Sequence, residues 1–351
     1  MAEMYPNPMG TDGFEFVEFA APDSQLLHSL FKRMGFSAVA RHHHRKITLY
    51  RQGGVNFLVN EEPGGFAADF ARQHGPCACG FAMRVRDAKA ALSQVLGKGA
   101  KRFADKPETA ALTTAMIEGI GGSILYMVDG YDKGDVYAKE YEYLPGVDQH
   151  PKGMGLKYID HLTHNVNRGE MDTWAGYYER LFNFREIRYF DIKGLKTGLL
   201  SRAMTSPEGK VRIPLNESAD DRSQINEFLR EYKGEGIQHI ALFTDDVYGT
   251  VETMRRSEVE FLDTPDAYYE MVDERVPDHG EDLARMRKDK ILIDADMEDP
   301  KRQLLQIFTQ NCIGPIFFEI IQRKGNEGFG EGNFRALFLA IERDQIKRGV
   351  L

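Results

Sequence analysis

The chain repeats itself. A strand, a capped amphipathic helix and up to three further strands recur four times along its 351 residues, and this repetition limits the fold more than any single motif does. The first unit opens with the alternating stretch Phe14–Ala20. Pro22, Asp23 and Ser24 predict a helix start, Leu26, Leu27, Leu30, Phe31 and Met34 its apolar face, and Gly35 its stop. Short strands are expected at 37–40, 46–50 and 55–59. The second unit has a strand at 79–85, a helix capped by Asp87 and ended by Gly97, a short segment at 115–119 and a strand at 123–128. Residues 129–155 are polar, rich in Gly and Tyr and without periodicity, and read as a linker between halves.

The third unit begins at 156–166. Its helix carries Trp174, Tyr177, Tyr178, Leu181 and Phe182 on one face, and strands follow at 197–204 and 211–215. The fourth has a strand from Gly236, a helix capped by Asp245 and Asp246, a polar insertion at 268–290, and closing strands at 291–295, 303–309 and 316–322. Phe334, Leu337, Phe338 and Ile341 mark a final amphipathic helix. One such unit leaves a half-covered sheet, so two must pair around a concave interior. The expected fold is α+β: four βαβββ modules forming two pseudo-symmetric open-barrel domains, 1–150 and 151–351, each with a cavity.

Bulk properties narrow the class. The composition, 42% hydrophobic and 28% charged, is that of a globular chain, and a net charge of -9 argues against a nucleic-acid surface. No apolar run is long enough to span a bilayer, and the first residues lack a signal-peptide pattern. With three cysteines, this points to the reducing cytoplasm. Cys77 and Cys79 read as small buried thiols. His42, His43 and His44 alternate across a strand and cannot share a face, so they read as a solvated turn.

The chemistry starts from Glu319. It sits in the apolar run 316–321, where a lone carboxylate is costly unless it joins a salt bridge or a bound cation. His161 and His239 lie on two other core strands of the same half. Two imidazoles and a carboxylate are the set used by mononuclear non-haem Fe(II) oxygenases, and zinc fits the same ligands. Lining up the first half on the repeat sets Phe19 opposite His161, Gly80 opposite His239 and Tyr126 opposite Glu319. The polar residues occur in only one copy, which points to a site in the second half and a metal-free first half. His164 shares the strand with His161 but faces the other side. His161 is preferred because it aligns with the core position Phe19. His164 is expected on the outer face or bonded to a neighbouring strand. Ser201, Asn216, Gln238 and Gln306 fall where strands aim them into the same cavity, and Gln238 needs a bulge to share a face with His239. Phe308, Phe317, Phe329 and Phe334 supply aromatic walls.

Four segments carry a resemblance: Ile159-Asp-His-Leu-Thr-His-Asn-Val166, Gly236-Ile-Gln-His-Ile-Ala241, Phe318-Glu-Ile-Ile-Gln-Arg323 and Gly328-Phe-Gly-Glu-Gly-Asn-Phe334. They resemble the 4-hydroxyphenylpyruvate dioxygenase family of the vicinal-oxygen-chelate superfamily. The resemblance spans both halves and is densest from about Gly155 onward. It implies that His161, His239 and Glu319 bind Fe(II). It implies that Ser201, Asn216, Gln224, Gln238 and Gln306 line the pocket, that Phe308, Phe317, Phe329, Asn333 and Phe334 contact the substrate, and that the last helix covers the site. Ser201, Asn216, Gln238 and Gln306 are the implied catalytic side chains. The implied reaction takes 4-hydroxyphenylpyruvate and dioxygen to homogentisate and carbon dioxide in tyrosine and phenylalanine breakdown, with the substrate's own α-keto acid on the iron. A homo-oligomer, dimer or tetramer, is implied as well. The alternatives are 4-hydroxymandelate synthase, an extradiol ring-cleaving dioxygenase and a non-catalytic binding protein of the same fold. Pro214, Asn216 and Phe334 resemble the dioxygenase pattern rather than the synthase.

Overall fold

The computed structural model describes residues 4–103, 111–193, 198–220, 223–296, 299–333 and 336. Phe334, Leu337, Phe338 and Ile341, and with them the expected final helix, lie outside the described residues. The fold is α+β, built on two mixed eight-stranded sheets. The first contains β1 (Phe14–Ala20), β2 (Ser37–His42), β3 (Ile47–Gln52), β4 (Val55–Asn60), β5 (Cys77–Arg84), β6 (Met116–Glu118), β7 (Ile124–Val128) and β8 (Tyr141–Tyr143), in the order β6-β7-β5-β1-β4-β3-β2-β8. The second contains β9 (Leu156–Val166), β10 (Arg185–Lys193), β11 (Gly198–Thr205), β12 (Arg212–Ser218), β13 (Gly236–Thr244), β14 (Leu292–Ala295), β15 (Gln303–Phe308) and β16 (Phe317–Lys324), in the order β10-β11-β12-β9-β13-β16-β15-β14. The middle of each sheet is an antiparallel pair, β1/β5 or β9/β13. Parallel partners flank it, β4 and β7 in the first sheet, β12 and β16 in the second.

Helices α1 (Gln25–Arg33), α2 (Phe66–His74), α3 (Ala88–Gly97), α4 (Met171–Phe182), α5 (Gln224–Tyr232) and α6 (Val247–Arg256) connect the strands, and α7 (Asp266–Tyr269), α8 (Val272–Arg275) and α9 (Leu283–Asp289) fill the polar insertion. Asp87 caps α3 and Asp246 caps α6 through hydrogen bonds to Ala90 N and Gly249 N. Ser24 does not cap α1: its hydroxyl donates to Glu61, and Leu26 is 41% exposed rather than part of the apolar face. The stretch read as a linker holds β8, which pairs with β2. Three residues are too few to show periodicity. Among the described residues, no helix is long and apolar enough to cross a membrane.

One apolar core runs between the halves, with the Phe57 and Phe318 rings 5.8 Å apart across it. A second cluster, including Phe16, Leu49, Leu58, Ala82 and Tyr126, fills the interior of the first sheet. The corresponding apolar cluster of the second sheet is small, with Ala241, Leu304 and Ile321 fully buried. The register shows why. Phe16, Ala82 and Tyr126 form a row across β1, β5 and β7, and the matching row across β9, β13 and β16 is His161, Ala241 and Glu319. Gly80 matches His239, two residues before the alanine in each half. The counterpart of His161 is therefore Phe16, and Phe19 matches His164 instead: Phe19 pairs with Val59 as His164 pairs with Leu215. The strand around Phe19 has apolar residues on both faces, so pattern alone left the alignment free to slide.

In the first half the rings of Phe16 and Tyr126 pack 5.1 Å apart. The Tyr126 hydroxyl donates to Glu18 at 2.6 Å, and Asn60 donates to the other carboxylate oxygen at 2.7 Å. Burial raises the Glu18 pKa despite these bonds. A carboxyl raised in the folded state holds its proton longer there than in the unfolded chain, so its ionisation opposes folding as pH climbs from about 4.3 through the raised value. Glu18→Gln removes that ionisation. The variant is expected to lose less melting temperature than the wild type between about pH 5 and about pH 8, measured by thermal denaturation. Equal losses would show that Glu18 does not titrate in this window.

Candidate active site

Strands β9, β13 and β16 lie side by side, and their register puts His161, Ala241 and Glu319 in one row. His239, two residues before Ala241, points to the same face. Ala241 in the middle carries only a methyl group, which leaves room above it. His161, His239 and Glu319 are 2%, 8% and 2% exposed. One nitrogen or oxygen from each lies within 4.8 Å of the others, so together they could hold a metal ion. The two Nε2 atoms are 3.3 Å apart, and Glu319 Oε2 is 3.2 Å from His161 Nε2 and 3.5 Å from His239 Nε2.

Each histidine follows a bulge. The β9/β13 ladder skips Asp160 on one strand and Gln238 on the other. On a regular strand these residues would face away from their neighbours; an extra residue re-aims the chain. His161 Nδ1 donates to Asp160 Oδ1 at 2.9 Å, and His239 Nδ1 donates to Gln238 Oε1 at 2.9 Å. An acceptor at Nδ1 holds the proton there and leaves Nε2 facing the other imidazole and Glu319, the arrangement that ligating histidines need. The Thr163 hydroxyl lies 2.9 Å from His239 Nε2.

The electrostatics follow from these contacts. Burial alone would raise the Glu319 pKa, but the charge of His161 and hydrogen bonds from both histidines bring it down to about 2. Burial would lower that of His161, yet Glu319 and Asp160 raise it. His239 is lowered, chiefly by burial. Asp160 is held well below the carboxylate range because Arg323, His161 and Arg212 outweigh its burial. A proton that His161 takes up at Nε2 would have to leave before a cation could bind there.

The other expected residues gather unevenly. Ser201 and Asn216 stand opposite each other on β11 and β12, and Asn216 is also opposite Asn165 of β9. Gln306 Nε2 donates to Glu319 Oε1 at 3.1 Å, and its Oε1 accepts from Asn333 Nδ2 at 2.9 Å. Phe317 stacks on His239 with centroids 4.9 Å apart, Phe308 sits 6.3 Å from the same ring, and Phe329 meets His161 edge-on at 5.3 Å. Gln224 is not brought in. It is the exposed first residue of α5, which turns Ile225, Phe228 and Tyr232 inward instead. His164 is buried on the opposite face, 2.8 Å from the Tyr178 hydroxyl, and burial pulls its pKa down to about 3. Asp160 and Asn165 escaped the reading of the sequence. A carboxylate directly before His161 in a buried strand was the available signal for the first. Asn165 has both amide atoms buried and without a hydrogen-bond partner among the described residues.

Comparison with known proteins agrees with this geometry. Residues 5–142 match the family described as hydroxyphenylpyruvate dioxygenase, N-terminal, and residues 158–272 match the glyoxalase/bleomycin resistance protein/dioxygenase superfamily. The chain is 57% identical over 352 residues to hemolysin VllY of Vibrio vulnificus, covering 98% of each. It is 56% identical over 348 residues to 4-hydroxyphenylpyruvate dioxygenase of Pseudomonas aeruginosa, covering 98% of this chain and 97% of that one. Among solved structures, a xylose isomerase-like TIM barrel/4-hydroxyphenylpyruvate dioxygenase fusion protein matches with a TM-score of 0.80 at 30% identity, over 97% of this chain and 54% of the fusion. The chain belongs to the hydroxyphenylpyruvate dioxygenase family.

Proposed function

We propose that the chain converts 4-hydroxyphenylpyruvate and dioxygen to homogentisate and carbon dioxide, with ferrous iron held by His161, His239 and Glu319. The observation that carries this reading is the buried pair of imidazoles beside one carboxylate, each imidazole already anchored at Nδ1. Full-length similarity to a 4-hydroxyphenylpyruvate dioxygenase supports the substrate. Two nitrogens and a carboxylate oxygen on one face, with no fourth protein ligand among the described residues, fit Fe(II) with positions open for a keto acid and dioxygen. Bound iron would supply activation of dioxygen and a seat for the substrate's own α-keto acid.

The remaining work falls to the chain. Asp160 and Gln238 orient the two imidazoles. Phe308, Phe317 and Phe329 wall the side of the cavity next to the histidines, where they seat an aromatic ring and exclude water. Ser201, Asn216 and Gln238 offer neutral hydrogen bonds to the polar ends of the substrate, without adding a second charge near Glu319. Gln306 holds Glu319 on one side and Asn333 on the other, so it orders the carboxylate and the segment that closes the cavity. In this reading residues 151–351 form the catalytic domain and 1–150 a metal-free partner whose ligand positions are Phe16, Gly80 and Tyr126. The chain works as a homo-oligomer, and its three free cysteines suit a reducing compartment.

Purified protein supplied with Fe(II) and ascorbate is expected to consume oxygen on addition of 4-hydroxyphenylpyruvate and to yield homogentisate on chromatography. Absence of uptake, or 4-hydroxymandelate as the product, would overturn the assignment. Glu319→Ala is expected to lose both stoichiometric iron and turnover; a variant that keeps its iron removes Glu319 from the ligand set. Because the His161 pKa is raised, protons compete with the metal over a range extending above the usual histidine value. Metal affinity should therefore fall as pH drops through that raised value, with about one proton released per metal bound. Cobalt titrations across a pH series check this, and an affinity independent of pH would exclude His161 as a ligand.

A further inference from the structure

Asp160 joins the ligand row to the segment that closes it. Its side chain is 0% exposed. Oδ1 accepts from His161 Nδ1 at 2.9 Å and from Arg323 Nη2 at 2.7 Å; Oδ2 accepts from Arg323 Nε at 2.8 Å and from Arg212 Nη1 at 3.3 Å. Arg323 thus grips both carboxylate oxygens with one edge of its guanidinium, a geometry lysine cannot copy. Its remaining nitrogen, Nη1, donates to the carbonyls of Asn326 at 3.0 Å and Gly328 at 2.7 Å. The guanidinium carbon lies 5.8 Å from the centre of the Phe329 ring, and that ring returns to His161. The contacts close a circle: His161, Asp160, Arg323, residues 326–328, Phe329, and His161 again. Gly325 and Gly330 bound the segment with φ of +85° and +79°, where side chains are strained, so its path is specific.

We infer that Asp160 and Arg323 are positioning residues that tie the orientation of His161 to the seating of residues 325–330, so that metal binding and ordering of this segment form one event. The inference rests on the metal reading above. A plainly structural role is the competing account, and the first half contains a control for it. Glu15 is skipped in β1 as Asp160 is in β9, it is likewise buried, and it pairs with an arginine, Arg84. The residue after it is Phe16, so no histidine is oriented. Arg84 stacks on Tyr131, away from any ligand row.

The test uses the full chain stripped of metal. Fe(II) affinity is measured anaerobically by chelator competition, and amide hydrogen exchange of residues 325–330 is followed with and without Fe(II). In the wild type, Fe(II) is expected to slow exchange in this segment. Arg323→Met should weaken Fe(II) binding by about 10- to 100-fold and abolish the exchange response, although Arg323 touches no ligand atom. Arg323→Lys keeps a cation beside Asp160 and so guards against simple unfolding; it should also lose the exchange response, because one ammonium cannot hold Asp160 and both carbonyls. Arg84→Met, which breaks the matching pair, should leave affinity and response unchanged. The inference fails if the two Arg323 variants bind Fe(II) within about twofold of wild type with an intact response, or if Arg84→Met has the same effect as Arg323→Met. Failure of the wild type itself to bind Fe(II) would overturn the metal reading instead, and is seen before any variant is made.

Discussion

Everything at the site depends on the register of β9 against β13. The ladder skips three residues as bulges, Lys157, Asp160 and Gln238, and the last two each sit directly before a histidine. Without them, the side chain before each histidine would face the opposite side of the sheet and could not accept from its Nδ1. The bulges are also part of the fold. The first sheet skips Glu15 and Cys79 at corresponding points. The backbone device therefore exists in both halves, and the side chains placed on it decide what each half does.

The two interiors show how different those outcomes are. In the first, Phe16 and Tyr126 occupy the space that the second leaves to His161 and Glu319. Aromatic packing there needs little support beyond the hydrogen bonds of the Tyr126 hydroxyl and Asn60 to Glu18. The second interior buries Glu319, Asp160, His161 and Arg323 together. Desolvating such a set is costly, and removing one member leaves an uncompensated charge. The structure meets this with near-complete pairing: Glu319 with both histidines and Gln306, Asp160 with two arginines and His161. The row of the second interior is held by complementarity of charge, and the matching row of the first by packing.

Much of this was legible in the chain and some was not, for identifiable reasons. Strands 14–20 and 156–166 could be read to the residue because caps and turns bound them. β8 could not, because three residues carry no period. Helices α2 and α5 recur at the same place in each half, after β4 and β12, but as nine-residue additions to the strand–helix–strand unit they went unread. His161 was singled out over His164 through a false partner, Phe19, which is the counterpart of His164; parity said only that the two face opposite sides, and they do. Asp160 looked like an ordinary polar neighbour, since sequence shows neither a bulge nor an arginine arriving from 163 residues away. Gln224, included by resemblance, stands exposed on α5 because the helix face, not the strand pattern, sets its direction.

Gly80 shows how the filling of one position constrains the others in the first half. A Cβ built there would lie 3.0 Å from both the Ile124 carbonyl oxygen and the Tyr126 ring. A histidine there would press on both the Ile124 backbone and the Tyr126 ring, and Tyr126 stands where the carboxylate would be required. Phe16 would have to give way as well. Replacing Phe16 or Tyr126 alone would break their ring contact without completing a ligand set. The same backbone thus carries two mutually exclusive fillings, a closed aromatic stack in the first interior and an open polar row in the second.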